Sequence, residues 1–156
     1  MSLTQYQTFL SENKTVSDKM EQAKLVKRVG QRIAHSVEQY MKDNNMSGRI
    51  KNYKWEFNLV EDNTVNAWCM PGGKVVFYSG ILPICANTNG VAAVMGHEVA
   101  HAFAKHGQER MSSSQMQQLG GLAVAVGTAG KKKSEMWNMI YGVGSQLGML
   151  AFSRTH

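Results

Sequence analysis

Residues 97–101 read His-Glu-Val-Ala-His, and their types and spacing suit metal-assisted hydrolysis. On an α-helix, positions four apart differ by about 40° in azimuth, so His97 and His101 project from one face and can bind one ion. Neutral imidazole suits a borderline cation such as Zn²⁺. Glu98 lies beside them and can take a proton from a metal-bound water and pass it to a leaving amine. The pattern therefore predicts a zinc site with its own general base.

The motif is surrounded by apolar residues, which predicts that its helix is largely buried: Val91–Met95 before it, Val99 and Ala100 within it, and Ala102, Phe103 and Ala104 after it. Buried histidines beside a glutamate need a compensating partner, because burying an unpaired polar group is costly. Zn²⁺ supplies such a partner. The alternative is an ordinary helix that carries the pattern by chance, which average residue usage allows in roughly one per cent of chains of this length. We therefore expect the intact protein to bind metal.

Length and composition indicate one globular domain, residues 1–156. The chain is 43% hydrophobic, which suffices for a hydrophobic core that needs no stabilising cross-links.

The net charge of the chain is +6 with a pI near 9.4, but the basic residues are dispersed. The one basic run, Lys131–Lys133, has no alternating aromatic residues, so nucleic acid is not expected as a partner. The apolar run Leu119–Gly130 is too short to cross a bilayer, so no transmembrane segment is expected in this chain.

Cys69 and Cys85 are the only cysteines and do not form a Cys-x-x-Cys pair, so they are poor candidates for metal ligands. Their spacing leaves two alternatives open, a single disulfide or two buried free thiols. No signal peptide is visible at Met1–Thr4. This absence is uninformative if an export segment has been removed.

Hydrophobic periodicity predicts an α+β fold that is mainly helical. Apolar residues recur every three or four positions from Asp18 to about Asp43, which predicts a long amphipathic helix. Asn87 or Thr88 is expected to cap the helix that carries the motif, and Gly107 to end it. The other predicted elements are strands at Lys54–Val60, Thr64–Cys69 and Lys74–Tyr78, a helical turn at Gly80–Ala86, and later helices at Gln108–Thr128 and Ser134–Ser153.

The three strands are expected to form a small antiparallel sheet packed on the motif helix. Pro71-Gly72 lies between the second and third strands and favours a type II turn, which predicts a hairpin. The polar segment Glu61–Asn63 is expected to join the first two strands in the same way.

The spacing provides two metal ligands, whereas catalytic zinc usually takes three from the protein. His106 is nine residues after His97, which on a continuing helix places it about 180° from the ligand face. We expect it to interact with the terminal carbonyls of the helix. The metzincin pattern is absent, since Ala104 and Gly107 stand where it needs Gly and His. His35 has no second ligand at useful spacing and is expected to be structural.

Six short blocks of the sequence carry a family resemblance. They are Asn66-Ala67, Pro71-Gly72-Gly73, Lys74–Tyr78, Gly80-Ile81-Leu82, Met95–His101 and Lys105-His106-Gly107. In this order they resemble the CaaX prenyl protease and HtpX-like zinc metallopeptidases, in particular their soluble bacterial members, over most of the chain. The resemblance implies a zincin-like metalloprotease domain and a gluzincin, in which His97 and His101 bind zinc and Glu98 is the general base.

The resemblance also implies a third ligand, a glutamate on a later helix, in a segment that follows a stretch similar to Phe152–His156. The domain is therefore expected to be C-terminally incomplete, stopping before that ligand and before the residues that steady the oxyanion. The acidic residues after His101 are Glu109 and Glu135, which stand where the family has no ligand. The intact protein is expected to be a zinc endopeptidase. These 156 residues alone are expected to bind zinc weakly, or to borrow a ligand from His156, water or a neighbouring molecule, and to be weakly active or inactive.

The implied partner is a protein or peptide substrate. It is expected to lie antiparallel along the edge strand formed by Lys74, Val75, Val76, Phe77 and Tyr78, through main-chain hydrogen bonds. Similar soluble members work in the bacterial cell envelope, which implies a periplasmic or lipoprotein-anchored enzyme of protein quality control. The competing hypothesis is a non-catalytic module that binds unfolded polypeptides on this strand and on methionine-rich surfaces, since the chain has 11 methionines.

Overall fold

The computed structural model describes residues 2–106 and residue 118. The predicted α+β class is confirmed, and among these residues no helix is both long and apolar enough to span a membrane. The predicted helices Gln108–Thr128 and Ser134–Ser153 and the stop at Gly107 lie outside the described residues, Gln118 excepted. The elements are α1 (Leu3–Glu12), α2 (Glu21–Asp43), β1 (Glu56–Val60), β2 (Ala67–Met70), β3 (Lys74–Tyr78), α3 (Leu82–Cys85) and α4 (Thr88–His106), with 3₁₀ turns at Ser47–Arg49 and Ser79–Ile81.

The three strands form a mixed sheet in the order β1-β3-β2. β2 pairs with β3 in antiparallel fashion, and Gly73 N–H donates to the Met70 carbonyl at 3.3 Å while Gly72 has φ of 93°. The predicted hairpin at Pro71-Gly72 is therefore confirmed. β1 instead runs parallel to β3, with Glu56 opposite Lys74 and Val60 opposite Tyr78. The expectation of a purely antiparallel sheet is wrong.

The segment between β1 and β2 explains this topology, because it crosses the end of β3 instead of turning back. Gly80 N–H donates to the Asp62 carbonyl at 2.8 Å, and Asp62 N–H donates to Ser79 Oγ at 3.0 Å. A Cβ at Gly80 would overlap the backbone carbonyl of Asn63, so the crossing requires glycine there. Glu61–Asn63 therefore does not form the predicted hairpin, and β2 starts on the far side of β3.

One face of the sheet packs on α2 and α4 and forms the main hydrophobic core. The long helix predicted from periodicity is confirmed as α2, which buries one stripe of side chains including Val26, Val29, Ile33 and Val37. Alternate strand residues face this stripe, because successive side chains of a strand point to opposite faces. Those in this core are Phe57, Leu59, Ala67, Val75 and Phe77.

The other face of the sheet is covered by α1, a helix that is not among those predicted from the sequence. α1 begins with a capping box, in which Gln5 N–H donates to Ser2 Oγ at 3.1 Å and Ser2 N–H donates to Gln5 Oε1 at 2.7 Å. Tyr6 is 1% exposed and Phe9 is half-buried on this face. The Ser-x-x-Gln pattern followed by apolar residues was the available signal for this helix.

A buried charged residue lies between the sheet and α1. Lys74, which is 5% exposed, donates to the Glu56 carboxylate at 2.6 Å. The Tyr6 hydroxyl donates to the same carboxylate at 3.3 Å and accepts from Asn58 Nδ2 at 2.8 Å. Burial, and then the charge of Glu56, raise the pKa of Tyr6 to about 12, so its hydroxyl stays a neutral donor at physiological pH.

Removing Glu56 from this ion pair is expected to destabilise the protein more than removing Lys74. Glu56→Ala leaves the Lys74 ammonium buried without its counter-charge and should lower the free energy of unfolding by about 3 kcal/mol. Lys74→Met should cost less, about 1 kcal/mol, because the Glu56 side chain is 49% exposed and water can solvate its carboxylate. Urea unfolding of both variants measures the difference. A Lys74→Met variant as unstable as Glu56→Ala would contradict this account.

Candidate metal centre

The helix α4 carries the motif and is buried along most of its length, as predicted. Asn87 caps it, since Asn87 Oδ1 accepts the Gly90 N–H at 3.0 Å. Val91, Ala92, Ala93, Val94, Met95, Val99, Ala102 and Phe103 are each at most 5% exposed. The helix is therefore fixed on both sides of the motif, which limits how far its functional side chains can move.

His97 and His101 lie next to each other on the partly exposed face of α4. Their ring centroids are 5.1 Å apart and the ring planes make an angle of 71°. Both residues are half-buried. The structure thus brings the two predicted ligands together, on the helical face that their four-residue spacing dictates.

Glu98 is almost fully buried, at 6% exposure. Its Oε1 lies 3.7 Å from His97 Nδ1, which is too far for a hydrogen bond. Within the described part of the chain, both atoms are buried without a hydrogen-bond partner. Such atoms are costly in a folded protein unless something else satisfies them. A cation held by the imidazoles, with its bound water, would satisfy both, so these residues fit a metal site.

Cys69 adjoins this site from β2 and was not among the site residues predicted from the sequence. Burial, and then the negative charge of Glu98, raise the pKa of the Cys69 thiol to about 12. Burial likewise raises the pKa of the Cys85 thiol to about 11. Both cysteines are free thiols, so the disulfide alternative is not realised. At physiological pH Cys69 therefore faces the site as a small neutral side chain.

The described part of the chain does not supply a third ligand. Among residues 2–106 and 118, no three His, Cys, Asp or Glu side chains come together in a group that could hold a metal ion. His106 ends α4 at the limit of the continuous described segment. His35 is exposed on α2, beside a groove that α2 forms with β1. A later glutamate as third ligand stays a prediction.

The expectation that Lys74–Tyr78 is an edge strand is wrong. These residues form β3, which lies between β1 and β2, and all five are buried. Its backbone groups are used by a strand on each side, so a substrate backbone cannot pair with it. The prediction assumed that sequential strands are also neighbours, and the crossing segment after β1 breaks that assumption.

Sequence comparison connects this site to known peptidases. The chain is 48% identical over 73 residues to the mitochondrial metalloendopeptidase OMA1 of Saccharomyces cerevisiae, a match that covers 46% of this chain and 21% of the relative. The protein of the same name from Schizosaccharomyces pombe is 44% identical over 63 residues, which are 40% of this chain and 19% of the relative. The metalloprotease YcaL of Escherichia coli is 37% identical over 71 residues, which are 46% of this chain and 26% of the relative.

These relatives correct the expected location. The two yeast proteins are named as mitochondrial enzymes, and so is a relative from Arabidopsis thaliana that is 37% identical over 68 residues. The prediction of a bacterial cell envelope protein is therefore wrong, because the resemblance was attributed to soluble bacterial members alone.

The family itself was predicted correctly. The sequence pattern of peptidase family M48 matches residues 23–156, which include all of α2 except its first two residues, the sheet and the His-Glu-x-x-His helix. The matched part thus contains the paired histidines and the buried glutamate described above. The chain therefore belongs to peptidase family M48.

Proposed function

We propose that the intact protein is a zinc-dependent endopeptidase, in which His97 and His101 bind the ion and Glu98 is the general base. One observation carries the proposal: two adjacent imidazoles lie on one buried helix beside the Glu98 carboxylate, whose Oε1 is buried without a hydrogen-bond partner among the described residues. The names of the relatives add support, since they are metalloendopeptidases and a metalloprotease. Because these relatives are matched over only 19% to 26% of their length, the activity of the whole protein is part of the proposal.

The geometry of the side chains supports the proposed division of roles. Bound Zn²⁺ would polarise the scissile carbonyl and lower the pKa of a coordinated water. Glu98 accepts the proton of the attacking water and returns it to the leaving nitrogen, which needs a carboxylate close to the ligand imidazoles and not bound to the metal. Its separation of 3.7 Å from His97 meets that need. The burial of Glu98 also limits competing hydrogen bonds from solvent.

The corrected topology moves the proposed substrate position from β3 to β2. Within the described residues β2 pairs only with β3, so its other side is an edge. Tyr78 N–H donates to the Asn66 carbonyl at 3.0 Å, and by the alternation of an antiparallel pair the backbone groups of Ala67 and Cys69 point away from β3. A peptide that adds to this edge would pass beside Cys69, which is the neighbour of Glu98.

The competing hypothesis of a non-catalytic binding module gains no specific support. A module that binds unfolded chains on an edge strand has no use for two adjacent histidines beside a buried Glu98 whose Oε1 lacks a hydrogen-bond partner among the described residues.

We further propose a mitochondrial location, on the names of the yeast and plant relatives. A role in protein quality control stays a prediction.

Metal analysis and a cleavage assay on the full-length protein test the proposed function. We expect close to one zinc per chain, cleavage of casein, loss of cleavage with a chelator, and recovery when zinc is added back. Binding of unfolded protein without zinc and without cleavage would instead establish the binding module. Fractionation of cells that express the tagged full-length protein tests the location.

A further inference from the structure

The edge strand β2 lies between two helices, and each helix covers one of its faces. Cys69 faces α4 and the metal centre, while Trp68 points to the opposite face, towards α1. The Trp68 ring makes edge-to-face contacts with Phe9, at 5.2 Å between centroids, and with Tyr6, at 6.4 Å. The Phe9 ring also contacts Tyr78 at 6.2 Å. Trp68 and Phe9 are held together, yet each stays partly exposed.

We propose that Trp68 and Phe9 form an apolar subsite that selects a large apolar or aromatic side chain of the substrate. The inference rests on the proposed function and on the β2 edge as the position of the substrate. In a peptide paired with β2, alternate side chains would point to the α4 face and to the α1 face. A residue directly opposite Trp68 would share its face, with Cβ atoms about 4.5–5.5 Å apart.

The chemistry of the two rings fixes the class of side chain. The single polar atom of the indole, Nε1, already donates to the Tyr78 hydroxyl at 3.3 Å, so the part of Trp68 left for a ligand is apolar. Phe9 offers only hydrocarbon. An acidic side chain placed here would lose hydration without gaining a donor, whereas an aromatic one would add edge-to-face or stacked contacts. α1 would thereby contribute to substrate selection.

Peptide selectivity of the full-length, zinc-loaded protein tests the subsite. Peptides would carry Phe, Leu, Ala or Asp at successive positions around one cleavage site. We expect kcat/KM to favour Phe and Leu over Asp by about tenfold at a position facing α1. Trp68→Ala and Phe9→Ala should each reduce that preference to about twofold or less. Leu3→Ala is the matched control, because Leu3 lies on α1 and is 53% exposed.

The outcomes separate this inference from the proposed function. Two results would overturn the subsite and leave the proposed peptidase activity intact. In the first, the wild-type protein cleaves these peptides without an apolar preference at such a position. In the second, the apolar preference is kept in both Phe9→Ala and Trp68→Ala. Absence of cleavage for every peptide, with zinc bound, overturns the proposed function instead. Should Trp68→Ala fail to fold by circular dichroism, Phe9→Ala decides alone, because its side chain is partly exposed on α1.

Discussion

Replacing Glu98 with glutamine in the intact protein is expected to abolish peptide cleavage while leaving zinc bound. Glutamine has nearly the same shape, so the helix α4 should not move, but its amide cannot accept the proton of the attacking water. Loss of a general base costs about 10²- to 10⁴-fold in kcat. Zinc content should stay at the wild-type level, since His97 and His101 remain in place. Parallel measurements of kcat and of bound zinc check both expectations.

The matched control is Glu12→Gln, which makes the same chemical change at an exposed position of α1. It should leave both kcat and zinc content unchanged. Wild-type cleavage by Glu98→Gln would refute the assignment of the base. Loss of zinc together with activity would show instead that the carboxylate helps to hold the metal.

Local patterns were sufficient for the long elements of the fold. The periodicity after Asp18 predicted α2, which starts three residues later and ends at Asp43 as expected. The strand Lys74–Tyr78 was predicted with its observed bounds. Strand order could not be read in this way, because the choice between a hairpin and a crossing depends on contacts between distant residues. Here that contact is the close approach of Asn63 to Gly80, and no local rule predicts it.

In the candidate site, too, local spacing could be predicted from the sequence and contacts between distant residues could not. Residues on one helical turn have a fixed relation, so the proximity of His97, Glu98 and His101 follows from spacing alone. Cys69 joins the site only because β2 packs beside α4. Its sequence context made it a poor candidate for a metal ligand, so nothing in the sequence indicated that it lies at the site. The helix α1 was missed because ten residues form a marginal helix by themselves, and Tyr6 fixes it through contacts with strand residues distant in the sequence.

Gly90→Ala is expected to destabilise the protein by about 3 kcal/mol or more, although helix propensity predicts a gain of up to about 1 kcal/mol for this change. An alanine Cβ at this position would overlap the backbone carbonyl of Cys85. That carbonyl cannot turn away without cost, because it accepts the Asn87 N–H at 2.7 Å. The first turn of α4 would therefore have to move away from α3. Urea unfolding of the variant measures the loss.

Gly48→Ala provides the control for this prediction, since no atom lies within 4 Å of the Cβ that it would add. It should change the free energy of unfolding by less than about 0.5 kcal/mol. A Gly90→Ala variant as stable as Gly48→Ala would show that the junction of α3 and α4 can relax. Because His97 lies seven residues after Gly90 on the same buried helix, the strain of Gly90→Ala should also weaken zinc binding by the intact protein, which a competition titration with a chelator would detect.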